Sequence, residues 1–259
     1  MKLNNILAII ANDYRIVRKV KWRILEVTYF PLSTVLIWGL FSLYSRAYAV
    51  EAGLIVLIVN LFWSFSQLAQ QEANILIMED LWTSSLRNTL TSGVSQTEYI
   101  LAKLFMSSLT AVVVASVLMV IANAFGAPLS ARLGTVVLLA GISLLCSIGL
   151  AVIIAGTVVM LGREYGFLSW STMQLLVFLS APFYSPAILP AAARWITEIM
   201  PFTYVFQAAR AIATGAPIPN GMLVHAFVIA MIYVVAAWPY YFWAFRRAKK
   251  TGMLARIAG

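Results

Sequence analysis

Long apolar runs alternate with short polar segments along most of the chain. A helix needs about 20 mainly apolar residues to cross the hydrocarbon core of a bilayer, and six of the runs meet that length. The predicted spans are residues 27–45, 53–77, 99–124, 133–161, 166–185 and 222–245. The first is the weakest, because Pro31 and Gly39 interrupt it. The pattern predicts an all-α, polytopic membrane protein with one transmembrane domain over residues 1–259.

Residues 1–26, before the first predicted span, follow a different pattern. Leu3, Leu7 and Ile10 recur at three- and four-residue steps, whereas polar and basic side chains fall largely on the other face. Such a pattern is typical of an amphipathic helix in the membrane interface. Two interpretations stay open: a lipid anchor alone, or an anchor that also contacts a cytoplasmic partner.

A polar segment, MEDLWTSSLRNTLTSGVSQTE, occupies residues 78–98 between the second and third predicted spans. Glu79 and Asp80 suit a helix N-terminus, where the macrodipole favours negative charge. Trp82 and Leu86 are four residues apart, which places them on one face of a short helix. The segment is longer than a plain connector between two membrane helices needs to be.

The end of this segment carries a helix start signal. Ser95 and Glu98 form the Ser-x-x-Glu pattern of a capping box, and Gly93 permits a tight turn just before it. We therefore predict a short helix, a turn and a new helix, a rigid cytoplasmic unit suited to transmit motion from a docked partner. The alternative is a surface helix that merely packs on the bundle.

Composition and charge place the chain in a membrane. It is 62% hydrophobic and only 10% charged, whereas a soluble domain carries about 25% charged residues. The net charge is +9, but six bases lie before residue 24 and five lie in the tail, residues 246–259. Basic clusters beside apolar spans indicate cytoplasmic anchors rather than a nucleic-acid site. We expect a multi-pass protein of the plasma (inner) membrane with both termini in the cytoplasm.

The region after the fifth predicted span cannot be one continuous helix. Pro182, Pro186 and Pro190 are spaced by four residues, and each removes a backbone hydrogen bond from a helix. Residues 191–199 and 203–214 are too short to span. Broken backbone at membrane depth is tolerated only within protein or beside a wet cavity. We predict external re-entrant half-helices within residues 186–220; the alternative is an amphipathic outer loop.

Four aromatic residues are candidates to line a translocation path: Trp63, Phe65, Phe183 and Tyr184. The alternative is that they pack as other aromatic residues do, since most rings of such proteins belong to interfacial belts.

The sequence lacks the motifs of several chemistries. No Gly-x-x-x-x-Gly-Lys-Ser/Thr loop for ATP occurs, nor a Cys/His cluster or His-Glu-x-x-His for zinc. We expect no catalytic, cofactor or metal site on this chain. An ion-coupled secondary transporter would need acids deep in the membrane, and Glu72 is the one candidate, predicted near the cytoplasmic end of the second span. A membrane enzyme acting on lipids would need convergent polar groups within the spans.

Residues 78–104, which end in Ala-Lys-Leu, resemble the first cytoplasmic loop of ABC-type exporter permeases of the second export class (ABC-type-2). Val94, Ser95 and Glu98 match that loop. The stretch 178–215 is similar to the external element that follows the fifth span in the same family. The matching residues there are Pro182, Pro186, Pro190, Trp195, Pro201, Thr203, Tyr204, Arg210 and Gly215.

The resemblance implies the membrane subunit of an ATP-driven exporter. It implies a second permease copy, most simply in a homodimer, and a separate ATP-binding cassette subunit that holds ATP and Mg²⁺. An amphiphilic substrate, such as a lipid-linked glycan, a drug or a lipid, would cross between the permeases. The implied ATPase-coupling residues are Glu79, Asp80, Trp82, Leu86, Gly93, Ser95 and Glu98. The implied re-entrant and exit residues are Pro182, Pro186, Pro190, Pro201, Tyr204 and Arg210.

Overall fold

The computed structural model describes residues 2–19, 21–46, 49–83 and 85–252, and this part of the chain is helical without strands. Its α-helices are α1 (Leu3–Lys19), α2 (Lys21–Ser45), α3 (Val50–Trp82), α4 (Ser85–Thr91), α5 (Gln96–Ala124), α6 (Leu133–Leu161), α7 (Leu168–Leu179), α8 (Ala191–Ile199), α9 (Thr203–Thr214) and α10 (Asn220–Lys250). Of the predicted tail, residues 253–259 lie outside the described residues.

Five helices of the described part are long and apolar enough to cross a bilayer. They are Val27–Ser45 within α2, Val50–Trp82, Gln96–Ala124, Ser130–Leu161 and Asn220–Lys250. The predicted ends of the first span coincide with the observed ones, whereas the second, third and sixth predicted spans are too short. The helices that contain these three spans continue into polar and charged residues beyond the apolar run. A helix can do so because its backbone stays hydrogen-bonded internally as it leaves the bilayer core.

The prediction that Pro31 and Gly39 interrupt the first span is wrong. Helix α2 runs through both residues. A Cβ added at Gly39 would lie 2.4 Å from the ring of Phe125, so the glycine lets the aromatic ring at the end of α5 pack directly on the backbone of α2.

The main difference from the predicted six spans concerns the fifth, residues 166–185, which do not form one long helix. Residues Arg163–Phe167 form a 3₁₀ segment, and the following α7 has only 12 residues. The helix ends before Ala181 and Pro182, where Ala181 has a positive φ of 49°. The proline cluster thus stops the helix earlier than hydropathy alone indicates.

Both described ends of the chain nevertheless lie at one face of the bundle, which we call the terminal face. Near the end of α10, Tyr241 donates from its hydroxyl to the Gln96 carbonyl at the start of α5, over 3.3 Å. Near the start of α1, Asn5 donates to Glu98 on the first turn of the same α5, over 3.0 Å. Since α6 ends at this face and α10 begins at the opposite one, residues 162–219 must carry the chain back across the bundle.

Helix α6 forms the centre of the packing because small residues let its neighbours approach. Ser147 donates to the Ser66 carbonyl of α3 over 3.0 Å. A Cβ at Gly149 would lie 3.0 Å from the backbone of Tyr233 in α10. Close backbone approach through small residues is the usual means of helix association in lipid.

Candidate functional site

Three charged side chains, two of them almost fully buried, meet at the terminal face and form a cluster that we call the charged node. Lys103 of α5 lies 2.9 Å from Asp13 of α1 and 2.8 Å from Asp80 of α3, measured between Nζ and the nearest carboxylate oxygens. Tyr99 and Ser85 each donate a hydroxyl hydrogen bond of 2.7 Å to Asp80. The node therefore ties the interfacial helix, the end of α3 and the start of α4 to one lysine.

Asp13 is the member of the node whose burial is least compensated. Its side chain and that of Lys103 are almost fully buried, and its Oδ2 atom has no hydrogen-bond partner among the described residues. Burial raises the pKa of the Asp13 carboxyl above its usual range, and the neighbouring Lys103 only partly offsets this effect.

Asp13, Tyr99 and Lys103 were missed at the level of sequence. Two signals were available. Asp13 shares a helix face with Ile6, Ile9 and Val17, and Lys103 follows the start of an apolar span. A lone acid on an apolar face and a lone base in a membrane helix each need a partner.

The predicted position of the two acids in the polar segment is wrong. Glu79 and Asp80 belong to the last turn of α3 rather than to the N-terminus of a new helix. A helix C-terminus disfavours negative charge, which explains why Asp80 requires Lys103. Trp82 ends α3 and is 51% exposed, whereas Leu86 of α4 is 2% exposed, so the two do not share one exposed face.

The predicted start of α5 is confirmed. The Ser95 hydroxyl accepts from the Glu98 amide over 3.2 Å, and the Glu98 carboxylate accepts from the Ser95 amide over 3.0 Å. Gly93 has a φ of 91°, as the predicted turn requires. Glu98 also accepts from the Asn5 side chain and the Lys2 amide. One carboxylate thus holds the beginnings of both α5 and α1.

Helices α8 and α9, with the predicted bounds 191–199 and 203–214, form a hairpin whose tip lies deep in the bundle. Cys146 contacts the Pro201 carbonyl through its thiol over 3.2 Å, and the Tyr233 hydroxyl donates to the Ile199 carbonyl over 3.4 Å. Cys146 and Tyr233 each lie about 13 residues, or roughly 20 Å, inside the helices that begin at the opposite face.

The other end of the hairpin returns to that opposite face. Gly215 closes α9 with a φ of 74°, and its carbonyl accepts from Arg132 just before α6, over 2.6 Å. Phe206 and Ala209, in the middle of α9, are fully buried. The tip at Pro201 and the end at Gly215 therefore differ in depth by about the length of α9.

The predicted exit residues take different places around this hairpin. Arg210 lies inside α9 and donates from Nη1 to the carbonyls of Ala181 and Pro182 over 2.7 and 2.8 Å. Tyr204 stacks on His225 of α10, with ring centroids 5.7 Å apart. Pro186 begins a short 3₁₀ turn and Pro190 precedes α8.

An amphipathic groove of about 820 Å³ opens between α2, α3 and α7. Its α3 side carries uncharged polar residues, among them Ser64, Gln67 and Gln71, and its lining includes aromatic rings from all three helices. Its volume falls in the range of small-molecule sites, roughly 300–1,000 Å³.

The four residues predicted to line a translocation path do not all lie at the same place. Trp63 lines the groove, and its ring lies 6.3 Å from that of Phe183. Phe65 points elsewhere, because it is buried between α3 and α5 with Ala69 and Ala111. Tyr184 is half-buried in the proline-rich break and does not line the groove.

Glu72 also lines the groove. The prediction that it lies near the end of its helix is wrong. It is 3% exposed and lies within α3, about 10 residues or roughly 15 Å before the helix end.

Residues 13–214, which include the charged node, the groove and the hairpin, match the family model of the ABC-2 type transporter. The chain belongs to the ABC-2 type transporter family. No curated protein matches its sequence. This permease is thus the membrane-spanning subunit of an ABC transporter, a multi-pass protein whose family normally works with an ATP-binding cassette subunit. Membership of this family favours a transporter subunit over the two alternatives, an ion-coupled secondary transporter and a lipid-acting enzyme.

Proposed function

We propose that this permease exports an amphiphilic substrate across the plasma membrane, driven by ATP that a separate ATP-binding cassette subunit hydrolyses with Mg²⁺. The observation that carries the proposal is the charged node, because it connects a surface-exposed coupling segment to buried helices. Family membership supplies the class of partner.

The docking surface for the ATPase would be the exposed part of the terminal face around α4. Trp82, Arg87 and Asn88 are exposed there. Force applied to α4 would reach Asp80 through Ser85, and then α5 and α1 through Lys103. Among the coupling residues named from sequence, Trp82 is the best candidate for direct contact with the ATPase. Asp80, Leu86 and Glu98 would transmit force to the helices without contacting the ATPase.

The orientation follows from charge. Arg15, Arg18 and Lys19 of α1 and the bases at the end of α10 lie at the terminal face. The positive-inside bias supports a cytoplasmic terminal face, and the α8–α9 hairpin would then enter the membrane from outside.

Transport would use the groove as the entry to the path and the hairpin as its outer boundary. The groove opens between α2 and α7 and would face a second permease copy across a homodimer. Motion of α3, which bears both Asp80 and the polar groove wall, would change the shape of the groove when the ATPase subunits close.

Purification of the tagged chain from its native membranes tests the partner. An ATP-binding cassette protein should co-purify, and its ATPase rate should rise when the permease is present. Trp82→Ala should lower this association severalfold, whereas Trp195→Ala, a tryptophan with 56% exposure on α8, should not. Absence of any ATP-binding partner, or equal effects of the two variants, would contradict the proposal.

A further inference from the structure

The exposed side of α10 carries an apolar stripe that leads to a tryptophan and then to bases. Its members recur at three- and four-residue steps, and the exposed Pro239 occupies the step between Val235 and Trp243. In chain order they are Val228, Ile232, Val235, Trp243, Arg246 and Lys250, all of them exposed. Helix α10 packs on α6 and α9 with its other side, so this stripe faces the surroundings of the bundle.

The spacing of the stripe matches one leaflet of a bilayer. Ile232 and Trp243 are 11 positions apart, which is about 16 Å along a helix. Half of the hydrocarbon core measures about 15 Å. Tryptophan is enriched where the core meets the headgroups, and Arg246 and Lys250 follow Trp243 within the next two turns. A lipid that lies along the stripe would therefore place its headgroup beside the bases.

Trp243 and Arg247 are already held together at this level. The Trp243 ring lies 5.8 Å from that of Tyr240, whose hydroxyl shares a hydrogen bond of 2.8 Å with Thr157 of α6. The Arg247 guanidinium carbon lies 5.6 Å from the centre of the Trp243 ring. The Arg247 side chain makes no hydrogen bond to any described residue. Its N–H groups are thus available to a phosphate, which a guanidinium can bind through two parallel hydrogen bonds.

The charge around this site is positive without compensation. Its bases are exposed: Arg246, Arg247, Lys249 and Lys250. None of them pairs with a carboxylate among the described residues, and the sequence contains no acid after Glu198. Such a cluster attracts lipids with a net negative headgroup, whereas it repels the ammonium group that a zwitterionic headgroup also carries.

We propose that the end of α10 is a specific binding site for a phospholipid with a net negative headgroup, taken from the leaflet at the terminal face. The phosphate accepts hydrogen bonds from Arg246 and Arg247, and an acyl chain lies along Ile232 and Val235. Because the neighbouring Tyr241 donates to the start of α5, the bound lipid steadies α10 against α5. The site does not depend on the exporter assignment.

Two photoactivatable lipids test the proposal: a phosphatidylglycerol and a phosphatidylcholine with the same diazirine-labelled acyl chain. Each is added at the same mole fraction to the permease in phosphatidylcholine nanodiscs, and after illumination the adducts on residues 220–245 are quantified by mass spectrometry. We expect at least about fivefold more adduct from phosphatidylglycerol. The double variant Arg246→Gln/Arg247→Gln should lower that yield at least about fivefold, since each base near an anionic headgroup changes binding about fivefold.

Arg15→Gln/Arg18→Gln is the matched control, because it removes two exposed arginines of α1 from the same terminal face. Its adduct yield on α10 should equal that of the wild type, and both double variants should keep the wild-type unfolding temperature. Equal yields from the two lipids overturn the proposal. So does an equal loss in the two double variants, which would mean that only the overall charge of the face matters.

The other possible occupant of these bases is the ATP-binding partner. If that partner, added to the nanodiscs, abolishes the phosphatidylglycerol adducts, the bases serve the protein contact and the lipid site is refuted. Failure to find any ATP-binding partner would contradict the proposed function but leave the ratio of the two lipids unchanged, so the two failures are distinguishable.

Discussion

Lys103 and Asp13 are 90 positions apart in the chain, yet the Nζ of one lies 2.9 Å from the Oδ1 of the other. This ion pair joins the interfacial helix α1 to the first turns of α5. The same lysine holds Asp80 at the end of α3. A buried pair of this kind stabilises little in itself, but removal of one partner leaves an uncompensated buried charge.

Lys103→Met should therefore be the most damaging change in the node. It leaves Asp13 and Asp80 without their shared cation and should cost about 3–5 kcal/mol of unfolding free energy. Asp13→Asn should cost less, because Lys103 keeps Asp80 as a partner. Thermal unfolding of the purified variants in one detergent measures the order, with the exposed Lys250→Met as the control. An equal loss for Lys103→Met and Lys250→Met would contradict the described node.

The pKa of Asp13 gives a separate prediction with a definite sign. Because burial raises the pKa of the folded state above that of the unfolded chain, the contribution of Asp13 to stability is present at low pH and is lost as pH rises through the folded-state pKa. The wild type should thus gain stability relative to Asp13→Asn as pH falls from neutral towards the usual carboxyl range. A stability difference between the two proteins that is constant with pH, or that moves the other way, would show that Asp13 is not buried as described.

Glu98 should fix the position of α1 as well as the start of α5. Glu98→Ala removes the acceptor for the Ser95 amide, the Asn5 side chain and the Lys2 amide, and each lost hydrogen bond costs about 0.5–1.5 kcal/mol because these donors can bind water instead. Hydrogen exchange of the α1 amides should become faster, whereas it should not change in Glu51→Ala, an exposed acid at the start of α3. Unchanged exchange in α1 would mean that other contacts hold this helix.

Local signals and long-range contacts differ in how far the sequence reveals them. The capping box at Ser95 and the bounds of α8 and α9 depend on neighbouring residues and turn chemistry, and these could be predicted. The node could not, because Asp13, Asp80 and Lys103 meet only after three helices pack. The end of α3 was missed for a related reason: Glu79 and Asp80 favour a helix N-terminus locally, and Lys103 compensates Asp80 at a C-terminus instead. The groove likewise needs α2, α3 and α7 together, and Phe65 faces away from it because α5 lies on that side.

The orientation of the chain can be tested with single cysteines in a Cys146→Ala background. Asn88 of α4 and Ala187 near the proline-rich break are both exposed in the structure. If the terminal face is cytoplasmic, an impermeant thiol reagent added to intact cells should label Ala187→Cys and leave Asn88→Cys unlabelled. Lysed cells supply the control, since both variants should react there. Labelling of Asn88→Cys alone in intact cells would invert the proposed topology.

The depth of the α8–α9 hairpin is the most specific geometric prediction. The Pro201 carbonyl contacts Cys146 in the middle of α6, whereas Gly215 accepts from Arg132 at the opposite face. Accessibility should therefore fall along α9 from its C-terminal end towards the tip. In the Cys146→Ala background, a cysteine at the exposed Thr214 should react rapidly with an impermeant reagent.

Cysteines at Val205 and Ala208, which are fully buried, should react at least about a hundredfold more slowly than Thr214→Cys. Their protection would come from α3 and α10, which enclose α9, because broken backbone at this depth requires protein or water around it. A free external loop would instead react evenly along its length. Equal rates from 203 to 214 in a protein that retains its unfolding temperature would exclude the re-entrant hairpin, and with it the role of Pro201 as the inner limit of the exit.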